Sequence, residues 1–171
     1  SLLHLSLENN KLKVLPKAMV WPLSLRPEGD LVSPLKLNNN DLKELPSTPL
    51  PPKITSLDLS YNNIAFADEI DVSAFNIAFS DSAVTTLDLS NNVITILAPS
   101  IAWPKQLTEL DLSNNALATL PSASIGYAWP SNLRKLNLDG NTWEDILEAA
   151  ATMQTTAATV CVVHAKLVEV L

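Results

Sequence analysis

Three aspartates recur inside one tetrapeptide, Leu-Asp-Leu-Ser, as Asp58, Asp88 and Asp111. Each stands between two leucines. In an extended segment its carboxylate therefore points away from the face the leucines share. Carboxylates stacked in this way can pair with Lys or Arg of a partner, or hold a cation. Two like charges about 4.8 Å apart, the spacing of paired strands, repel by roughly 1 kcal/mol in water. Either the face is wet and tolerates that cost, or a cationic group relieves it.

Other chemistry is sparse. His4 and His164 lie at opposite ends of the chain, and no base is evident near the one cysteine, Cys161. The nucleophile of a covalent mechanism needs such a base or a lowered pKa. No phosphate-binding glycine loop, zinc-ligand spacing or nucleophile elbow is present. The reading is of a chain with no enzymatic site, no cofactor and no metal.

The elements that position the aspartates come from a repeat. The pattern LxxLxLxxNxLxx(L/A) occurs six times, with its asparagine at Asn10, Asn40, Asn62, Asn92, Asn115 and Asn141. Between equivalent leucines (Leu5, Leu35, Leu57, Leu87, Leu110, Leu136) the steps are 30, 22, 30, 23 and 26 residues. A fixed apolar pattern at such a period is the mark of a solenoid. In each copy the two inner leucines of a short strand face the core. The asparagine turns inward, where its amide can satisfy backbone groups that a buried bend leaves unpaired. The six asparagines are expected to stack as a ladder.

On these residues the chain resembles the leucine-rich repeat family from residue 2 to about 146. The resemblance implies an α/β solenoid: a curved right-handed coil with parallel strands on the concave face and irregular or short helical returns on the convex face. It also implies a binding scaffold whose ligand varies from protein to protein. Leu-Asp-Leu-Ser is a common version of this repeat, so the aspartates can also be mere consensus.

Strand alternation predicts three outward columns. The first is His4, Pro34, Ser56, Thr86, Glu109 and Lys135; the second is Ser6, Lys36, Asp58, Asp88, Asp111 and Asn137. The third is Glu8, Asn38, Ser60, Ser90, Ser113 and Asp139. This face is small and polar, without an aromatic anchor. The candidate partner-binding residues are Lys36, Asp58, Asp88, Glu109, Asp111 and Asn137.

Charge points to the partner class. The net charge of −7 is concentrated in residues 54–133, which carry eight acids and only Lys105 as a base. That excess disfavours nucleic acid and anionic membrane and suits a basic protein or peptide. No run of 18 apolar residues exists, so no membrane insertion is expected. One cysteine and no N-x-Ser/Thr site favour a cytoplasmic protein, with the extracellular part of a receptor as the alternative. A monomer is expected. The expected role is a protein-interaction module, as the recognition part of a larger signalling protein; the alternative is a spacer that positions neighbouring domains.

The irregular coils are legible too. Apolar-Pro pairs, Leu50-Pro51, Trp103-Pro104 and Trp129-Pro130, stand just ahead of three repeats, and Trp21-Pro22 stands in the same relation to Leu25. The stretch Glu28 to Pro34 then reads as a seven-residue insertion. The second long coil holds an apolar segment, Phe66 to Phe79, expected to form one or two helical turns on the thick side. Residues 1–146 form the repeat domain, and residues 147–171 a helical cap and apolar tail, with strand and helix both open for the tail. The first residue already lies inside a repeat, so the chain is expected to be a piece of a longer one. Deleting Glu28 to Pro34 restores the base coil length, and loop-length costs are small. The deletion variant should keep its far-UV circular dichroism signal, with Leu25 taking the place of Val32.

Overall fold

The structure, a computed structural model, describes residues 5–16, 20–21, 35–45, 47–66, 69–121, 129–143 and 161–163. The inserted stretch Glu28 to Pro34, both histidines and the expected helical cap after Trp143 lie outside these residues. Among the described residues six short strands pair in parallel and in chain order: β1 (Leu35–Lys36), β2 (Ser56–Asp58), β3 (Thr86–Asp88), β4 (Glu109–Asp111), β5 (Lys135–Asn137) and β6 (Cys161–Val163). A bridge between Ser6 and Lys36 sets the first repeat alongside β1. The register follows the leucines: Leu35 pairs with Leu57, Leu57 with Leu87, Leu87 with Leu110 and Leu110 with Leu136. β6 carries the sheet beyond residue 146 by pairing Val162 with Leu136, so the apolar tail supplies a strand.

The leucines build one continuous core. Leu37, Leu59, Leu89, Leu112 and Leu138, the second leucine of each strand segment, are fully buried. Each such burial is worth about 1.5–3 kcal/mol over leaving the side chain in water. No coil could hide its own leucines; each is covered by the coils on either side.

The asparagine ladder joins the coils. Asn62 donates from Nδ2 to the carbonyls of Leu37, Leu59 and Ser60 at 3.0, 3.0 and 3.2 Å. Its Oδ1 accepts from the Leu42 N–H at 3.0 Å. Asn40, Asn92, Asn115 and Asn141 repeat this pattern, with Oδ1 taking the N–H of Leu12, Ile64, Ile94 and Leu117 in the coil before. Asn10 has no coil before it among the described residues, and its side chain bonds to the carbonyls of Leu7 and Glu8 in its own turn. One side chain thus closes its own bend and clamps the neighbouring coil.

Two further ladders accompany it, and neither stands out in the sequence pattern. The Thr55 carbonyl accepts from the N–H groups of Thr85 and Thr86 and from the Thr85 hydroxyl. The Thr85 carbonyl does the same for Thr108 and Glu109. The residue before each ladder asparagine holds a left-handed backbone: Asn9, Asn39, Tyr61, Asn91 and Asn114 at φ of 51–58°, and Gly140 at 69°. Asparagine and glycine tolerate that region, whereas a bulky side chain is an outlier there. At Gly140 there is a second constraint, because a Cβ would collide with the Asn114 side chain.

On the opposite side the second long coil folds into α1 (Glu69–Phe79), three turns rather than one or two. Val72, Phe75 and Phe79, with Ala74 and Ala78, form its buried stripe at helical spacing. Phe75 meets Phe66 and Trp103 edge-on at ring distances of 5.3 and 5.5 Å, and Trp103 stacks on Trp129 at 6.4 Å. The aromatic residues therefore fill the thick side of the solenoid. The apolar-Pro pairs open tight turns, in which Ile54, Leu107 and Leu133 donate back to Pro51, Pro104 and Pro130.

The ladder gives the first structural test. Asn92→Ala leaves the Ile64 N–H without its acceptor in a buried bend and takes one of two donors from the carbonyls of Leu59, Leu89 and Ser90, so it should cost about 1–3 kcal/mol in chemical denaturation. Asn91 is a poor control, because its left-handed backbone favours asparagine. Asn63 is exposed, so Asn63→Ala should stay within about 0.5 kcal/mol of the parent.

Candidate functional site

The register places the second column as expected. Ser6, Lys36, Asp58, Asp88, Asp111 and Asn137 are successive neighbours across the strands, and Val163 extends the row at β6. In the first column Ser56, Thr86, Glu109 and Lys135 follow one another, with Cys161 next in register. His4 and Pro34 fall outside the described residues. Two candidate residues are already engaged on the face. Lys36 reaches Glu8 at 3.4 Å, and Glu109 reaches Lys135 at 3.8 Å. Both pairs are exposed enough for water to screen them, so each is a weak restraint.

The third column departs from simple alternation. Ser60, Ser90 and Ser113 are 6–7 % exposed, hence buried rather than outward. The reason is the left-handed residue that follows each of them: the chain leaves the strand at this point and the serine folds back beneath the preceding aspartate. The Ser60 N–H and hydroxyl donate to Asp58 Oδ1 at 3.0 and 2.7 Å. The Ser113 pair donates to Asp111 Oδ1 at 2.8 and 2.6 Å, and the Ser90 N–H to Asp88 Oδ1 at 2.9 Å. Each aspartate thus closes an Asx turn at the end of its strand. In the coil after, Asn137 does the same, accepting from the Asp139 N–H at 3.2 Å. The sequence held the signal for this turn in the invariant two-residue offset of Asp and Ser, but the burial of the serine could not be read from period-2 patterning.

The outer oxygens are left for other work. Asp111 Oδ2 accepts from Asn137 Nδ2 at 2.9 Å. No described residue donates to Oδ2 of Asp58 or Asp88. The three aspartates are half-buried, and Asp88 sits between the other two. Burial raises the Asp88 pKa above the usual carboxylate value of 3.8, the Ser90 hydroxyl and N–H oppose that rise, and the charges of Asp111 and Asp58 add to it. Desolvation is thus the leading cause, ahead of the like charges that the column alone suggests.

Among the described residues no three His, Cys, Asp or Glu side chains are grouped to hold a metal ion. No helix among them is long and apolar enough to cross a membrane.

Comparison with known proteins agrees with this geometry. A family profile described as Leucine Rich Repeat matches residues 106–127, and a second, described as Leucine Rich repeat, matches residues 51–65. No curated protein sequence matches the chain. Among solved structures, YopM from Yersinia enterocolitica WA-314 is similar, with 28 % sequence identity and a TM-score of 0.50. That similarity covers 80 % of this chain and 24 % of the solved one, so this chain spans about a quarter of that protein.

A group whose folded pKa is raised binds more protons in the folded than in the unfolded state. Its ionisation therefore lowers stability as pH rises from 3.8 through the raised value, and the loss is complete above it. Asp88→Asn keeps an oxygen for the Ser90 turn and removes the charge. Thermal melts should show the variant at least as stable as the parent at pH 7, with the gap closing as pH falls toward about 4. A variant that is less stable at pH 7 would mean the charge itself supports the turn.

Proposed function

Because the chain is a leucine-rich repeat protein, we propose that it is a protein-binding module whose strand face takes a basic segment of a protein partner along Asp58, Asp88 and Asp111. Such domains are generally binding modules and typically non-catalytic. The observation that carries the finer reading is the unshared outer oxygen of Asp58 and of Asp88, beside the charge of Asp111, on adjacent strands. Lys36 and Asn137 bracket the three charges and set the length of the acidic stretch. A partner's Lys or Arg would relieve repulsion that the free protein carries, and Arg could engage a carboxylate through two parallel bonds. Association would then be steered by charge and weakened by salt.

A second reading has its own support. All three aspartates close Asx turns through Oδ1, so the column has a structural duty that needs no partner. On that reading the coils are a spacer that positions neighbouring domains.

One variant separates the two. Asp58→Asn, Asp88→Asn and Asp111→Asn together keep an acceptor oxygen for every turn, as Asn137 already does. The triple variant should fold with unreduced stability. Titrated with a nona-lysine peptide at low and physiological salt, it should bind at least ten-fold more weakly than the parent, roughly the loss of one or two charge-assisted contacts. A control with Asp41→Asn, Glu44→Gln and Asp81→Asn loses the same charge off the strand face and should retain the parent's affinity. Equal affinity of the column variant and the parent would favour the spacer.

A further inference from the structure

Tyr61 breaks the pattern of its column. The equivalent residues are Asn9, Asn39, Asn91, Asn114 and Gly140, types that accept a left-handed backbone, yet Tyr61 holds φ of 53° with a bulky ring. It packs little of that ring, being 59 % exposed. Its hydroxyl has no hydrogen-bond partner among the described residues. The fold therefore gains nothing visible from an aromatic side chain here, while the backbone bears a conformation that tyrosine disfavours.

Its place in the sheet gives the ring a use. Tyr61 follows directly on the Asp58–Ser60 turn. Its N–H donates to the Ser90 carbonyl at 3.1 Å, and its carbonyl accepts from Asn40 at 3.1 Å, so it is tied to the turns of both flanking coils. The flanking residues in its column, Asn39 and Asn91, are small and spend their side chains on Asn9 and on Ser90. The ring thus stands out from a low, polar rim at the exit of the acidic strands.

We propose that Tyr61 is the aromatic contact that selects arginine over lysine in a basic protein segment lying along the aspartate column. This rests on the reading of the strand face given above and names the side chain it prefers. Charge complementarity fixes the occupant as cationic, and the ring narrows it. A guanidinium is planar and weakly hydrated, so it can pair with a carboxylate and stack on an aromatic face at once; an ammonium does this less well.

The test titrates nona-arginine and nona-lysine peptides against the parent, Tyr61→Asn and Tyr61→Phe. Tyr61→Asn should bind the arginine peptide about two- to five-fold more weakly and the lysine peptide almost unchanged, while its melting midpoint rises by roughly 2–4 °C as the backbone strain is relieved. Tyr61→Phe keeps the ring and should keep the arginine preference. A role confined to structure would move the melting midpoint alone. An arginine preference that survives in Tyr61→Asn overturns the proposal, even where the triple aspartate variant has lost lysine-peptide binding. If the triple variant binds the lysine peptide as the parent does, or the parent binds neither peptide, the reading of the strand face fails and this inference fails with it.

Discussion

The structure depends on one side chain used over and over. A coil that turns back under its own strand buries a bend, and a buried bend leaves carbonyls and N–H groups that neither sheet nor water can reach. The ladder asparagine answers that need with two donors and one acceptor in a single planar group. Asn62 and Asn92 each reach two carbonyls of their own bend, one carbonyl of the coil before and one N–H of the coil before. No hydrophobic residue could do this, and no serine is long enough to do it in both directions. Register follows: once the asparagines are stacked, the leucines can face only inward, and the residues between them only outward.

The aspartate column is a by-product of that register and also a part of the turn. Each carboxylate is divided between two tasks. Oδ1 closes the Asx turn onto the serine, which keeps the strand exit short, and Oδ2 is left outside that turn, bridged at Asp111 to Asn137 in the next strand. Asn137 displays what a neutral group does in the same place, holding its own turn and bridging to Asp111. The charges at Asp58, Asp88 and Asp111 are therefore more than the turn requires. That surplus is what a cationic partner would use; in the free protein burial first, and the neighbouring charges of Asp111 and Asp58 after it, hold the Asp88 pKa above its usual value.

Much of this was legible in the sequence, for physical reasons. The leucine and asparagine positions declare themselves because each does one obligatory job in every coil. The strand columns follow from alternation, and Lys36, Asp58, Asp88, Asp111 and Asn137 fall into line as expected. Alternation fails at Ser60, Ser90 and Ser113, because the strand has ended and a left-handed residue redirects the chain. The aromatic segment after Phe66 was legible as bulk for the thick side, but its length as a helix depends on packing against Trp103 and the Leu50 return, which no local pattern encodes. The strand at Cys161–Val163 was ambiguous because a short apolar β-branched run fits strand and helix alike; pairing with β5 decides it. Tyr61 was hidden for another reason. It lies one residue past the predicted columns, where only the backbone angle reveals that tyrosine is out of place.

The account's central claim is that asparagine side chains, rather than leucine packing alone, lock neighbouring coils together. Native-state hydrogen exchange reads this at the amides of Leu42, Ile64, Ile94 and Leu117, whose acceptors among the described residues are the Oδ1 atoms of Asn62, Asn92, Asn115 and Asn141. If the ladder is the lock, these amides exchange only through the largest opening of the solenoid, as slowly as the strand amides of Leu59 and Leu89. Exchange at the rate of exposed loop amides, with the strand amides still protected, would show that the coils hold without the ladder and would contradict the account.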